Sequence, residues 1–359
     1  MARVPAVVAA LVALLVGGVT ALPAEPLTLG TRGSAFTLNG QPRFLVLVSY
    51  FDAMDAAALD DDLRYIAEGA DGIRVFANWW DADRRRPCTV FSDRTLMRVG
   101  DDGAVSLRPE RLSRLKDVLR AARRHRLVVD LTFSYETVQG LSKLRPGPDG
   151  RVCGTSSDLV NAVRLDEYAR GLADAARALT GGEFDHVFFD LQNERSGGWT
   201  RLSQDGVRVL ARAVRAADTS RLVSASDVDP DPVRHVAFVR DAGLDILNFH
   251  DVPRDERWPA HTGELVAAFA SALGREKLAI PVYAGEPPPE ALGHGASAFA
   301  RSLEGARAAG AAAWTFHTRA AFRLDERDFA GQLDADQRAF FDGLRAARST
   351  GAARVPAAW

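Results

Sequence analysis

The sequence has little cysteine: Cys88 and Cys153 are the only two in 359 residues. That excludes a disulfide-dense miniprotein, and two Cys with no clustered His do not make a zinc site. Positive charge is not in excess either. Lys and Arg number 45 against 47 Asp and Glu, a net charge of −2, which argues against a broad basic surface and therefore against a nucleic-acid partner. There is no internal repeat and no low-complexity linker. Beyond the first two dozen residues there is no second long apolar run. What is present is an ordinary globular mix, 47% hydrophobic and 26% charged, in a chain long enough to bury a sizeable core unaided. The length fits two average domains or one α/β barrel.

The first 24 residues read as a secretory signal peptide. Arg3 precedes an uncharged, mostly apolar run from Val4 to Val19, and small residues follow, with Ala21 and Ala24 as candidate cleavage points. The run is about 16 residues, short for a membrane span. No Cys follows it, which argues against a lipid anchor. The mature protein is expected to be secreted or periplasmic, free of the membrane after cleavage. In an oxidising compartment Cys88 and Cys153 are expected to pair as a disulfide. They stand 65 positions apart, and closing such a loop is worth about 4 kcal/mol in the chain-entropy model.

The rest of the chain alternates between two kinds of segment. Apolar, β-rich runs occur at Phe44–Val48, Ile73–Phe76, Leu127–Phe133, Val187–Leu191, Leu222–Ala225, Ile246–Phe249, Ala279–Tyr283 and Ala312–Phe316, as strands buried on both faces require. Stretches with apolar spacing of three or four lie between them, at Asp55–Gly69, Glu110–Arg126, Asp158–Thr180, Arg201–Ala217, Asp231–Ala242, Gly263–Gly274, Ser297–Gly310 and Asp334–Ala347. Eight strands, each followed by a helix, predict a single-domain (β/α)8 TIM barrel over residues 25–350, with a loose tail at 351–359. An open doubly wound sheet would show a Gly-rich turn after its first strand; here Ser49-Tyr50-Phe51-Asp52 follows it. Asn39-Gly40, between Ala35–Leu38 and Arg43–Leu45, signals an entry hairpin.

Connections from helix to strand are short and those from strand to helix are long. In a barrel the long ones gather at the C-terminal face, where active sites sit. The strand ends carry Arg74 (strand two), Asn193 and Glu194 (four), His250 (six) and Glu286 (seven). Closure would aim them at one pocket. Two carboxylates there suit glycoside hydrolysis, in which one acid protonates the leaving oxygen and the other attacks the anomeric carbon. Arg74 beside Glu286 would favour its ionised form, leaving Glu194 to hold a proton longer. Five of six tryptophans map to the same face: Trp79, Trp80, Trp199, Trp258 and Trp314. Aromatic rings pack well on the C–H faces of sugars. Asp130 and Asp190 are expected to bond to neighbours within the barrel. Asn78, Glu136, Asn248 and Tyr283 are candidates to line the site, and His317 and Arg319 either bind substrate or cap a loop. Glu290 is a rival to Glu286 but stands well past the strand end.

With Asn-Glu ending strand four and Glu ending strand seven, the chain resembles the clan A glycoside hydrolases, especially family 5, the cellulases, mannanases and relatives. The segment Phe36–Phe44 resembles the hairpin that enters such barrels. The resemblance implies Glu194 as acid/base, Glu286 as nucleophile, Asn193 on the sugar 2-hydroxyl, Arg74 steadying the nucleophile, His250 lining the site and Trp314 flooring the subsite at the cleaved bond. It implies a retaining hydrolase of β-linked glycans of the β-glucan or β-mannan type, with an oligo- or polysaccharide substrate, no cofactor and no metal, working as a monomer. The chain departs from the family at Thr132–Tyr135, where a His is usual, at Asp251-Val252 after His250, and at Pro287-Pro288-Pro289 after Glu286. Those departures motivate one alternative, an inactive carbohydrate-binding barrel; a transglycosylase using the same two Glu is a further one. A metal-dependent hydrolase ranks last, because His and acids do not cluster at ligand spacing.

Overall fold

A computed structural model describes residues 27–78, 95–99, 104–133, 145–146, 152–153, 165–194, 202–229, 231–250, 257–286 and 295–349. The signal segment and the tail lie outside the described residues. Eight parallel strands form one sheet: Leu45–Ser49, Gly72–Phe76, Val128–Thr132, Val187–Asp190, Val223–Ser224, Leu247–His250, Val282–Glu286 and Ala313–Phe316. They are called barrel strands one to eight below. Their spatial order is five, four, three, two, one, eight, seven, six. Strands five and six meet through a single bridge, Asp227 to Phe249, which completes the ring. The fold is therefore the (β/α)8 barrel that the alternation predicts. Each strand falls within a residue or two of its expected run, except that strand seven ends three residues later, at Glu286.

Helices pack outside the ring, and two of their boundaries show local causes. The helix Gln204–Ala217 starts where the Ser203 hydroxyl accepts from Gly206 N at 3.1 Å. The helix Pro232–Ala242 starts on the Asp231 carboxylate with Pro at its first position, and stops at Gly243 with φ 71°. No helix among the described residues is long and apolar enough to cross a membrane.

Strand alternation sorts the barrel's side chains into two sets. Val48, Ile73, Val75, Val129, Leu131, Phe189, Phe249, Trp314 and Phe316 join the core shared with the helices. Leu45, Leu47, Val128, Phe188, Ile246 and Tyr283 form a second cluster together with Leu29 and Phe36. Leu29 and Phe36 belong to a small three-stranded antiparallel sheet, Leu29–Arg32, Ala35–Leu38 and Gln41–Arg43. Its Asn39-Gly40 turn has φ of 50° and 78°, as a tight hairpin needs. The hairpin thus seals the N-terminal mouth: Phe36 packs on Phe188 with ring centroids 6.0 Å apart. Above this apolar plug the inward positions turn polar: Arg74, Asp130, Thr132, Asp190, Asn248 and Thr315, all fully buried.

Candidate active site

Arg74 is the hub. It faces inward from barrel strand two, in register with Asp130 of strand three. Its Nε lies 3.2 Å from Thr132 Oγ1 and 3.3 Å from Asp130 Oδ2. Its Nη2 donates to Asn193 Oδ1 at 2.6 Å and to Asp190 Oδ2 at 3.3 Å, and its Nη1 donates to Glu286 Oε1. The rings of Phe51 and Phe76 lie 5.7 and 5.2 Å from its Cζ. A planar fork with five N–H groups suits this arrangement, which a lysine could not reproduce. Burial alone would weaken its hold on the proton, but Glu286, Asp130 and Asp190 outweigh that and raise it above its ordinary value.

The buried acids beneath the site respond to the same balance. Burial pushes Asp130 up to about 8 and Asp190 up to about 6, with Arg74 pulling each down. Tyr283 donates to Asp130 Oδ2 at 3.0 Å and stays protonated, its own value driven well up by burial. Asp190 Oδ1 accepts from Ser226 N at 2.9 Å, and Oδ2 accepts from Asn248 Nδ2 at 3.3 Å. The expected role of Asp130 and Asp190, bonding to neighbours within the barrel, holds.

Two backbone irregularities aim the exposed acids. On strand seven the register shifts so that His250 pairs with Glu286 after Phe249 has paired with Ala284. Gly285 is the extra residue of this bulge. Strict alternation with inward Tyr283 would send residue 286 outward; the bulge turns Glu286 back over the barrel mouth. Glycine is required there, since a Cβ would collide with Asn248 Oδ1 and come within 3.1 Å of His250 Nε2. On strand four the chain leaves through Glu194, whose φ of 48° is left-handed. Such a conformation costs a non-Gly residue of order 1–3 kcal/mol. The Glu194 N–H donates to Ser226 Oγ at 3.1 Å, which helps hold it.

His250 joins the two carboxylates. Its Nδ1 is 3.1 Å from Glu194 Oε1 and 3.6 Å from Glu286 Oε2. Burial drives its pKa down to about 3, with Arg74 and His317 adding to the fall and Glu286 and Asp227 opposing it. The ring is therefore neutral. The Glu194 side chain is 33% exposed and that of Glu286 15%, so both acids can meet a ligand from the cleft. One donor atom from each of Glu194, His250 and Glu286 lies within 4.8 Å of the other two. This corrects the expectation that His and acids do not cluster at ligand spacing: the cluster forms across strands, not along the chain. The donors could reach a divalent ion. Such an ion would stand beside the Arg74 guanidinium, which already supplies Glu286 with a positive partner, so the site suits an acid pair better than a metal centre.

The structure thus brings together Arg74, Asn193, Glu194, His250 and Glu286. It does not bring Trp314. That ring faces the helices, donating from Nε1 to Ser302 Oγ at 3.1 Å and packing on Phe340. Consecutive strand residues face opposite ways, and strand eight spends its inward positions on Ala313 and Thr315. Trp258 is a second correction: it begins the helix Trp258–Arg275, fully buried, 5.8 Å from the Phe299 ring. Trp79, Trp80 and Trp199 lie outside the described residues. So does Cys88, and with it the Cys88–Cys153 pairing. Past strand eight, His317 turns inward: its Nδ1 lies 2.9 Å from Ser49 Oγ and its ring lies tilted 5.5 Å from that of Phe51. It stands two positions on from inward-facing Thr315, as alternation places it, and was one of the expected candidates to bind substrate or cap a loop. Ser226, beyond the end of strand five, carried no signal.

No family model matches the sequence, and no curated protein is similar enough to match. Solved structures are similar in fold. A β-mannanase from the blue mussel Mytilus edulis superposes with a TM-score of 0.58 at 16% identity, over 92% of this chain and 99% of that one. An endo-1,4-β-mannanase from Rhizomucor miehei gives 0.60 at 12% identity, over 90% and 99%. A mannohexaose complex of a Thermomonospora fusca β-mannanase gives 0.55 at 14% identity, over 92% and 98%. Across nearly its whole length, the chain has the (β/α)8 fold of these enzymes.

Proposed function

We propose that the protein is a retaining glycoside hydrolase of β-linked glycans, with mannans the first substrates to test. One observation carries the reading: the Glu194 and Glu286 carboxylates present oxygens within 4.8 Å of each other at the C-terminal mouth of the barrel. Retaining enzymes place their carboxyl groups about 5–5.5 Å apart, whereas inverting ones leave about 6.5–9.5 Å for a water. The proteins of similar fold are β-mannanases, which suggests mannan as the substrate class. Secretion, suggested by the signal-like start, suits a polysaccharide substrate.

The two acids have different surroundings, and their roles follow from that. Arg74 donates to Glu286 and orients its carboxylate over the barrel mouth, the place of the nucleophile. Glu194 faces the neutral imidazole of His250; it serves as the acid. In the first step Glu286 attacks the anomeric carbon while Glu194 gives its proton to the leaving oxygen. In the second, Glu194 takes a proton from water, whose oxygen displaces Glu286. Asn193, held by Arg74 through its Oδ1, is placed to bond a sugar hydroxyl.

The test is hydrolysis of β-mannans, β-glucans and aryl β-glycosides by the mature protein, with Glu194→Gln and Glu286→Gln alongside. The expected result is turnover in the parent, loss in both folded variants, and a first product with the substrate's anomeric configuration. An inverted first product refutes the retaining mechanism. Turnover that survives either substitution refutes that residue's role. Saccharide binding without turnover in the parent leaves a binding barrel, and product lengthening in the presence of a sugar acceptor identifies a transglycosylase.

A further inference from the structure

Two buried polar atoms beside the acid pair have no partner among the described residues: His250 Nε2 and Asn248 Oδ1. They belong to neighbouring inward positions of strand six and lie beside the same place, the one a Cβ on Gly285 would occupy. Unsatisfied buried polar groups are rare, and two of them at one point call for a physical reason.

Asn248 is the better defined of the two. Its Nδ2 donates to Asp190 Oδ2. Asp190 is in turn held by Arg74 and by the Ser226 N–H, so it presents an acceptor to the amide. That fixes the amide orientation. Oδ1 is therefore the atom turned toward the ring, and it can only accept. A neutral imidazole carries one donor nitrogen and one acceptor, and the partner of one decides the character of the other. Both atoms border the space that a side chain on Gly285 would fill, so a small shift of either side chain lets the amide oxygen accept from the ring nitrogen.

We propose that Asn248 is a positioning residue that holds His250 with its proton on Nε2, so that Nδ1 accepts the acid proton of Glu194. The inference rests on the glycosidase reading of the site. It accounts for both unpartnered atoms at once. The opposite tautomer would set the Nε2 lone pair against Asn248 Oδ1, two buried acceptors face to face. It also accounts for the contact between Nδ1 and Glu194 Oε1. An Nδ1–H would favour the Glu194 carboxylate; a bare Nδ1 favours the protonated carboxyl that an acid catalyst needs. The charged or titratable groups facing His250 come from five strands: Arg74, Glu194, Asp227, Glu286 and His317. His250 itself stays neutral throughout the cycle. The proton that leaves Glu194 goes to the leaving oxygen and is replaced from water.

The test reads the tautomer in the unmodified protein. Protein labelled with 15N-histidine gives ring signals from seven histidines, and those missing from His250→Asn belong to His250. At neutral pH the expected result is a protonated Nε2 and a bare Nδ1; a protonated Nδ1 overturns the proposal. The second readout is Asn248→Leu on aryl β-glycosides with leaving groups of rising pKa. Acid assistance matters most for poor leaving groups. The deficit is therefore expected to be small on a dinitrophenyl glycoside and about 10- to 100-fold larger on an unactivated one. A deficit equal on all leaving groups overturns the proposal. If no β-glycoside is cleaved at all, the glycosidase reading fails, and the tautomer claim stands or falls on the nitrogen signals alone.

Discussion

Arg74→Met removes the one positive charge at the centre of the barrel mouth and leaves a side chain of comparable reach. The guanidinium contacts Asp130, Asp190 and Glu286, and it also bonds Thr132 and Asn193. Asp130 and Asp190 are fully buried. Removing one partner of a buried ion pair typically costs about 3–5 kcal/mol, because the remaining charge stays uncompensated. The unfolding entropy is about 2.1 cal/mol/K per residue, which over roughly 320 residues gives about 0.7 kcal/mol/K. The variant should therefore melt about 4–7 °C below the parent near neutral pH. The cost should shrink on acidification, since protons can replace Arg74 as the neutralising charge on the aspartates. Calorimetry at pH 5 and pH 8 checks both points. A loss below about 1 kcal/mol at pH 8, or one that does not change with pH, would refute the account of Arg74 as the neutralising hub.

Three further predictions follow from the same geometry. Gly285→Ala should cost about 1–3 kcal/mol of overpacking against Asn248 and His250, and lower kcat about 100-fold by moving the acids; unchanged melting and turnover would contradict the bulge's role. For Asp130, raised to about 8, the folded state keeps a proton that the unfolded chain has released, so this residue costs stability increasingly as pH climbs from about 4 to about 8. Asp130→Asn should gain on the parent across that window in urea unfolding, and parallel curves would falsify the shift. Trp314→Phe should lose the bond to Ser302 and about 1–2 kcal/mol of stability while leaving KM for any cleaved glycoside unchanged; a large rise in KM would restore the ring to the substrate site.

The legible part of this molecule is what periodicity and strand ends carry. The apolar runs specify the barrel because strands covered on both faces have no polar positions to lose. Arg74, Asn193, Glu194, His250 and Glu286 were readable because each ends or sits near the end of a strand, and closure does the rest. Trp314 misled because the resemblance implied its role, while strict alternation places it outside, against Ser302 and Phe340. Trp258 misled because a helix can begin earlier than its apolar spacing suggests: Pro259 at the first turn was the available signal. The metal-like grouping of Glu194, His250 and Glu286 was invisible because their proximity exists only across strands. The bulge at Gly285 has no signature of its own beyond the glycine, yet it alone decides which way Glu286 points.

The single bridge between strands five and six divides the barrel unequally. Everywhere else the strands are laced by ladders; here the backbone bonds are Asp245 N to Val223 O, Asp227 N to Asn248 O and His250 N to Asp227 O, at 2.9, 3.2 and 2.9 Å. Breathing of the ring is cheapest where the fewest bonds must open. Glu194 spans that seam, its N–H tied to Ser226 on the strand-five side and its carboxyl to His250 on the strand-six side. Asn248, bound to Asp190, spans it as well. Glu286 and Arg74 are instead tied across the barrel between strands seven and two. One acid is thus tied to the joint of the cylinder with the fewest bonds and the other to its laced wall, so the separation of the two carboxylates depends on how that joint is held.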